Sequence, residues 1–167
     1  MSVDSSTDDL VPEDAHPRAR EALTDRFFWD ISDVGSPLGG DTGVEVLDAL
    51  RDYRAEKPKG DPVALLDELL ATWEVANEQW DAVSEDAVQA LGADDEHSLL
   101  LRDEALLALT FAQIVVEGKV HHELRRRALL ALKRQSLPAL LHGWGDRRLE
   151  RAARIERMRE VLAKSWS

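Results

Sequence analysis

Residues 97–117 read HSLLLRDEALLALTFAQIVVE, the densest run of Leu, Ala, Ile and Val in the chain. From Ala105 onward the apolar side chains would cover most faces of a helix, which is typical of a helix enclosed by others. Gly118 follows directly, and glycine commonly ends helices. We therefore predict a central helix over residues 98–117.

The segments on either side have the apolar spacing of amphipathic helices, and no strand-like alternation of Val, Ile and Thr is found. Asp61 before Pro62 is a strong start signal, Asp146 is a further N-cap, and Gly92 is expected to end a short helix. The predicted helices lie at residues 17–28, 42–55, 62–74, 85–91, 120–134, 137–142 and 147–163. We predict an all-α fold: a single compact helical domain of six to eight helices over residues 13–167, with no sheet, after a flexible acidic tail of residues 1–12.

The composition restricts the class of protein. Its 167 residues, 44% of them hydrophobic, suffice for one domain with a proper core. The absence of cysteine excludes disulfides, thiolate nucleophiles and Cys-based zinc sites. Residues 1–13 lack the features of a secretory leader, and the longest apolar stretch, residues 105–116, is shorter than the roughly 20 residues that cross a bilayer. We expect a soluble, cytoplasmic protein without a cofactor.

The net charge of -12 is distributed unevenly along the chain. Residues 1–100 hold 25 Asp and Glu against 7 Lys and Arg, whereas residues 101–167 hold 8 against 14. One interpretation is that the two halves attract each other within one fold, and this is the favoured one. The other is that the acidic half presents a surface to a basic partner.

A second unusual stretch, FFWDISDVGSPLGGDTG, occupies residues 27–43 and has no helical periodicity. Because it holds four of the nine glycines, ordering it is entropically costly, and specific contacts should hold it. Carboxylates on irregular backbone could bind a cation, and amides at a helix start could bind an anion. In the alternative interpretation Asp41 is an N-cap, Trp29 is a core anchor and the glycines are turn residues. The candidate binding residues are Trp29, Asp30, Asp33, Gly39, Gly40 and Asp41.

Glu117, His121 and His122 form another candidate set. Glu117 and His121 are four residues apart, but Gly118 interrupts the helix between them, and a metal would need a further ligand from elsewhere. Because the metal-binding spacing of helical bundles is not repeated, polar histidines at helix ends are the favoured interpretation. There is also no nucleophile elbow, phosphate loop or dinucleotide fingerprint, so no catalytic residue is assigned.

Arginines are concentrated in the last third of the chain. Nucleic-acid binding would want them on one face, near aromatic side chains and in a basic field. Here they are interleaved with Glu150, Glu156 and Glu160, and the whole chain is acidic. We predict that they pair internally, and that neither nucleic acid nor a membrane is the partner.

Three short motifs carry a family resemblance. They are PEDAHP at residues 12–17, FFWD at residues 27–30 and SPLGGDTG at residues 36–43. Over residues 12–58 the chain resembles the YfeS-like group of uncharacterised bacterial proteins. The resemblance implies a fold family and, because the group has no established activity, it carries over no catalytic residue.

Without a convincing catalytic set, we predict a non-enzymatic protein-binding module of the regulatory or immunity type, whose partner is a basic protein. The alternative is a small metal-dependent helical enzyme that uses a histidine together with carboxylates. Its ligands would be His121 or His122 with Asp30, Asp41 or Glu117. Convergence of these groups in an open pocket would favour the enzyme, and the oligomeric state is left open.

Overall fold

The longest helix of the described residues begins at Glu85 and ends at Glu117, and most of the other helices pack against it. A computed structural model describes residues 10–166 of the chain. Within these residues the helices are α1 (Pro17–Ala22), α2 (Gly40–Glu56), α3 (Pro62–Thr72), α4 (Glu85–Glu117), α5 (His122–Gln135), α6 (Pro138–Leu141) and α7 (Arg148–Leu162). Short 3-10 helices lie at Pro12–Asp14, Arg26–Trp29 and His142–Arg147. No described residue belongs to a strand, and the predicted all-α fold of six to eight helices is confirmed.

The first nine residues of the predicted acidic tail, residues 1–12, lie outside the described residues. The tail and the domain boundary at residue 13 therefore stay predictions. Within the described part, Leu10 is buried in the hydrophobic core.

The core is built on the second half of α4. Its side chains at positions 105, 106, 108, 109, 111, 112 and 114 are fully buried, and α2 and α5 make the most extensive contacts with this helix. Each buried Leu, Ile or Phe side chain stabilises the fold by about 1.5–3 kcal/mol relative to an exposed one. In the described part of the chain, no helix combines the length and apolar character needed to cross a membrane.

Two predicted boundaries of α4 have different outcomes. Gly118 ends the helix in the left-handed conformation, with φ 66°, as predicted. Gly92 does not end the preceding segment, since α4 continues through it and is broken instead at Asp95, with φ -161° and ψ 87°. The Asp95 carboxylate accepts a hydrogen bond from the Ser98 amide at 3.1 Å and so caps the second segment. A side-chain cap therefore decides the break, and glycine is tolerated within the helix.

Two other predicted helix ends are wrong. The first helix ends at Ala22, not near residue 28, because the chain turns to place Phe28 against the core, where its ring stacks on Phe111 at 5.5 Å. At the start of α7, Arg147 occupies the N-cap position and no side chain caps the helix. The predicted cap, Asp146, belongs to the preceding 3-10 helix.

Ion pairs join the basic C-terminal third to the acidic first hundred residues. Arg157 pairs with Asp25 at 2.9 Å, and Arg126 pairs with Asp81 at 2.8 Å. The predicted pairing within the fold is observed at these sites. Water screens such exposed and partly exposed pairs, so each contributes little to stability.

Candidate ligand-binding site

Residues 30–39 form a run of tight turns between the 3-10 helix and α2. The amides of Asp33, Ser36 and Gly39 each donate to the carbonyl three residues earlier, at 3.2, 2.9 and 3.1 Å. The Gly40 amide then donates to the Ile31 carbonyl at 2.9 Å, which closes the run. The irregular stretch seen in the sequence is thus a compact structure that places residues 36–43 beside α4 and α7.

Trp29 and Asp30 are engaged in local structure. The Trp29 Nε1 group donates to the Leu23 carbonyl at 2.8 Å. One Asp30 carboxylate oxygen accepts from both the amide and the hydroxyl of Ser32, at 3.0 and 2.6 Å. Both residues line a shallow depression beside Phe27, away from α2. Their role in binding stays a prediction.

Asp33 ties this loop to α7. Its carboxylate accepts from the Gly35 amide at 2.8 Å, from Arg154 at 2.5 Å and from Arg147 at 3.1 Å. Burial by itself would raise the pKa of Asp33, but the hydrogen bonds from Gly35, Arg154 and Arg147 outweigh it and lower the pKa to about 2. Asp33 is therefore ionised, and two arginines already bind its carboxylate. Its role is to hold the loop against α7.

Gly39 and Gly40 are required by the backbone. A Cβ atom at Gly39 would collide with the Asp33 carbonyl, and Gly40 has φ +72°, a conformation that favours glycine. Gly39 also occupies the N-cap position of α2, so the prediction that Asp41 caps this helix is wrong. Asp41 is an exposed residue of the first turn. The start of α2 has no side-chain cap, which leaves amides of its first turn open to another acceptor.

A cavity of about 140 Å³ lies at this uncapped start of α2, bounded by α4, α7 and the 3-10 helix of residues 142–147. Three predicted binding residues line it, namely Gly39, Gly40 and Asp41. Its polar wall adds Ser36, Glu104 and Arg151, none of which the sequence singled out as a binding residue.

Arg151 is the dominant charge of the cavity. It is 8% exposed, its guanidinium lies 4.6 Å from the centre of the Trp144 ring, and its Nε atom has no hydrogen-bond partner in the described part of the chain. Its Nη1 atom has only a long contact, 3.4 Å, with the Gly35 carbonyl. Ser36 is 5% exposed, and its hydroxyl also lacks a partner. Buried polar groups normally find partners, so two unpaired groups in one small cavity indicate a place for a ligand or ordered water.

The electrostatics of the cavity combine a buried cation with a carboxyl group. Burial lowers the pKa of Arg151 to about 10, so the guanidinium stays charged near neutral pH. Partial removal from water raises the pKa of Glu104, against the opposing effects of Arg151 and of a hydrogen bond from Thr42. The cavity therefore holds a positive charge inside and a carboxyl group of weakened acidity at its exposed side.

The spacing of α7 could have revealed Arg151. The apolar spacing of this segment suggests an inner stripe that begins at Leu149, but that side chain is 78% exposed. The buried stripe is instead Arg151, Ile155, Met158 and Leu162, at helical spacings of four, three and four residues. An arginine at the spacing of a buried apolar stripe indicates a buried charge, and the sequence-based prediction did not include it.

The histidine set does not form a metal site. His121 is the N-cap of α5, accepting from the Glu123 amide at 3.1 Å, and its Nε2 atom lies 3.7 Å from Asp61. Glu117 is paired with Arg54 and accepts from Gln113. Across residues 10–166, no group of three or more His, Asp or Glu side chains could hold a metal ion. Asp30, Asp41 and His121 line different depressions, so the ligands of the proposed metal enzyme do not converge.

Comparison with known proteins gives one relative of undescribed function. Over 133 residues the chain is 32% identical to the uncharacterized protein YfeS of Escherichia coli (strain K12), a match that covers 79% of this chain and 54% of that protein. The chain thus spans about half the length of the curated relative it matches, and the match is longer than residues 12–58. No family model matches the chain, and no solved structure matches it.

Proposed function

This chain is YfeS-like over 79% of its length, and we propose that it is a cytoplasmic, non-enzymatic module that binds another protein through an acidic face of α2. The resemblance predicted from the three short motifs is confirmed by the match. YfeS is described only as uncharacterized, so the proposal is supported by the surface of this chain and not by the relative.

The acidic face consists of Asp41, Glu45, Asp48 and Asp52. Spacings of four, three and four residues place these side chains on one side of α2, and all four are exposed. None of them forms an ion pair with another described residue. This is the observation that carries the proposal, because four uncompensated like charges in a row repel each other and favour a cationic partner.

Apolar side chains lie beside these carboxylates. Ile31, Val44 and Ala49 share with the acidic face a shallow groove of about 730 Å³. An apolar strip next to a row of charge suits an amphipathic segment with basic residues along one edge. We therefore commit to a basic, amphipathic protein segment as the occupant.

The charge balance of the whole chain supports a basic partner. Arg126, Arg147, Arg154 and Arg157 are already paired with carboxylates inside the fold, whereas the acidic face is not. With a net charge of -12, the protein would attract a basic partner over a distance of about one Debye length, ~8 Å at physiological salt. A regulatory or immunity-type protein would act in this way by covering a basic surface of its target.

The test neutralises the acidic face. The variant carries Asp41→Asn, Glu45→Gln, Asp48→Asn and Asp52→Asn, and the matched control neutralises four exposed carboxylates elsewhere, by Glu21→Gln, Glu68→Gln, Asp86→Asn and Glu160→Gln. Both variants lose four negative charges, so a difference between their affinities for the partner shows that the position of the charges matters. A partner is captured from lysate, identified, purified and titrated with all three proteins by calorimetry.

We expect a partner with a basic surface whose affinity falls at least about tenfold with the acidic-face variant and in high salt, and little with the control. Equal binding by both variants would place the interface elsewhere on the protein. Failure to find any specific complex would remove the proposal altogether.

A further inference from the structure

We propose that the cavity at the start of α2 binds a small organic monocarboxylate, held by Arg151, the Ser36 hydroxyl and the uncapped amides of the helix. This inference does not rest on the protein-binding proposal. It rests on two side chains that are more than nine-tenths buried, line the cavity and have unpaired polar atoms.

An anion is indicated by the charge of Arg151. Among the described residues no carboxylate oxygen lies within 4.0 Å of its guanidinium nitrogens, although the neighbouring Arg147 and Arg154 are both paired with Asp33. A buried cation without a direct counter-ion is costly, and a bound carboxylate would form charge-assisted hydrogen bonds with its fork of donors. The uncapped start of α2 adds partial positive charge to the same cavity.

A single negative charge fits better than two. Glu104 and Asp41 also line the cavity, and two carboxyl groups next to the site disfavour a dianion such as phosphate. Arg151 and the helix start together supply about 1.5 positive charges, part of which these two carboxyl groups offset. The charge balance therefore favours a monoanion. A carboxylate is such a group, and its planar shape matches the planar fork of donors on Arg151.

The size and walls of the cavity restrict the remainder of the ligand. A cavity of about 150 Å³ can hold benzene, so the 140 Å³ found here accommodates roughly six non-hydrogen atoms. Leu107, Met158 and Pro37 supply apolar wall. A short aliphatic chain would bury apolar surface there, which makes butyrate a suitable probe.

The experiment is a titration of the full chain followed by NMR at the backbone amides of residues 40–43 and the indole of Trp144. Butyrate is compared with butylammonium, which has a similar chain and the opposite charge, and with inorganic phosphate. We expect saturable shifts with butyrate, none with butylammonium, and weaker binding of phosphate than of butyrate. No saturation by butyrate up to about 50 mM, or tighter binding of phosphate, would overturn the proposal.

Variants on α7 test the assignment of Arg151. Arg151→Gln should weaken butyrate binding at least about tenfold, since a charge-assisted pair is lost. The matched control is Arg148→Gln, which removes an exposed arginine from the same helix and should leave the affinity unchanged. Equal affinity of the two variants would show that butyrate binds elsewhere.

Ser36→Ala keeps the test decisive if Arg151→Gln does not fold. It removes one hydroxyl and should weaken butyrate binding by about threefold to tenfold while the amide shifts on saturation stay in residues 40–43. An unchanged affinity would remove Ser36 from the site. An unchanged affinity together with shifts outside residues 40–43 would overturn the proposed cavity as the site.

Discussion

At the scale of single residues, Asp33 shows how one carboxylate organises the irregular loop. Its three hydrogen bonds reach a backbone amide two residues away and two arginines of the C-terminal third. Its side chain is 16% exposed, so these bonds are only partly screened by water. Loss of this charge should therefore weaken the attachment of the loop to α7.

The change Asp33→Asn should lower the free energy of unfolding by about 1–2 kcal/mol near neutral pH. A pKa lowered from 3.8 to about 2 stabilises the fold above the unfolded pKa, and this contribution is lost as pH falls toward the folded pKa. Urea denaturation of the protein and its variant should show a difference near neutral pH that shrinks between about pH 4 and about pH 2.

The control for this pH dependence is Asp52→Asn, which changes an exposed carboxylate with no ion pair among the described residues. Its effect on stability should stay within about 0.5 kcal/mol at every pH. If Asp33→Asn destabilised the protein equally at both ends of the pH range, the ion pairs with α7 would not be the cause.

At the scale of elements, local caps decide where several helices begin. The Asp61 carboxylate accepts from the Val63 amide at 2.9 Å, directly before Pro62 in the first turn of α3. Ser84 caps α4 in the same way, accepting from the Ala87 amide at 3.2 Å. Each such cap satisfies an amide that has no partner within its helix.

The change Asp61→Ala should lower the free energy of unfolding by about 1 kcal/mol, because the Val63 amide loses its acceptor. Asp61→Asn retains an acceptor oxygen and should cost only a few tenths of a kcal/mol. Urea denaturation measures both values, and hydrogen exchange at Val63 localises the change. If the two variants were equally destabilised, the charge near His121 would matter more than the cap.

At the scale of the whole molecule, one buried ion pair joins three parts of the chain. Arg134 of α5 is 0% exposed and donates to both oxygens of Asp103 in α4, each at 2.8 Å. It also donates to the carbonyls of Trp80 and Ala82, at 3.1 and 2.7 Å. This network fixes the segment between α3 and α4 against the core.

The change Arg134→Met should lower the free energy of unfolding by about 3–5 kcal/mol, because the buried Asp103 loses its closest counter-ion and keeps only the longer contact with Arg102, at 3.5 Å. The double change Arg134→Met with Asp103→Leu should recover part of that loss, since the carboxylate is then no longer stranded, although the buried Arg102, 3.5 Å from Asp103, loses its partner. Lys133→Met is the control, as it changes an exposed neighbour on the same helix.

Thermal and urea denaturation of these variants give the comparison. A double variant less stable than Arg134→Met alone would mean that Gln135, which also donates to Asp103 at 2.7 Å, and the carbonyls near Trp80 depend on the pair. The expected recovery would instead show that the pair specifies the arrangement more than it stabilises it.

The sequence by itself determined the all-helical class, the position of α4 at the centre, its end at Gly118 and the cap at Asp61. These features depend on residues within a few positions of each other, because apolar spacing and caps are local properties of the chain. It also located the irregular loop, and three of its six candidate residues line the cavity.

Only the tertiary structure decided the early end of α1 at Ala22 and the burial of Arg151 in place of Leu149. It alone brought Asp33 to Arg154, 121 positions away, and placed Ser36 and Arg151 around one cavity. The physical reason is that a buried side chain is defined by partners from distant helices, and no local pattern encodes which partners those are.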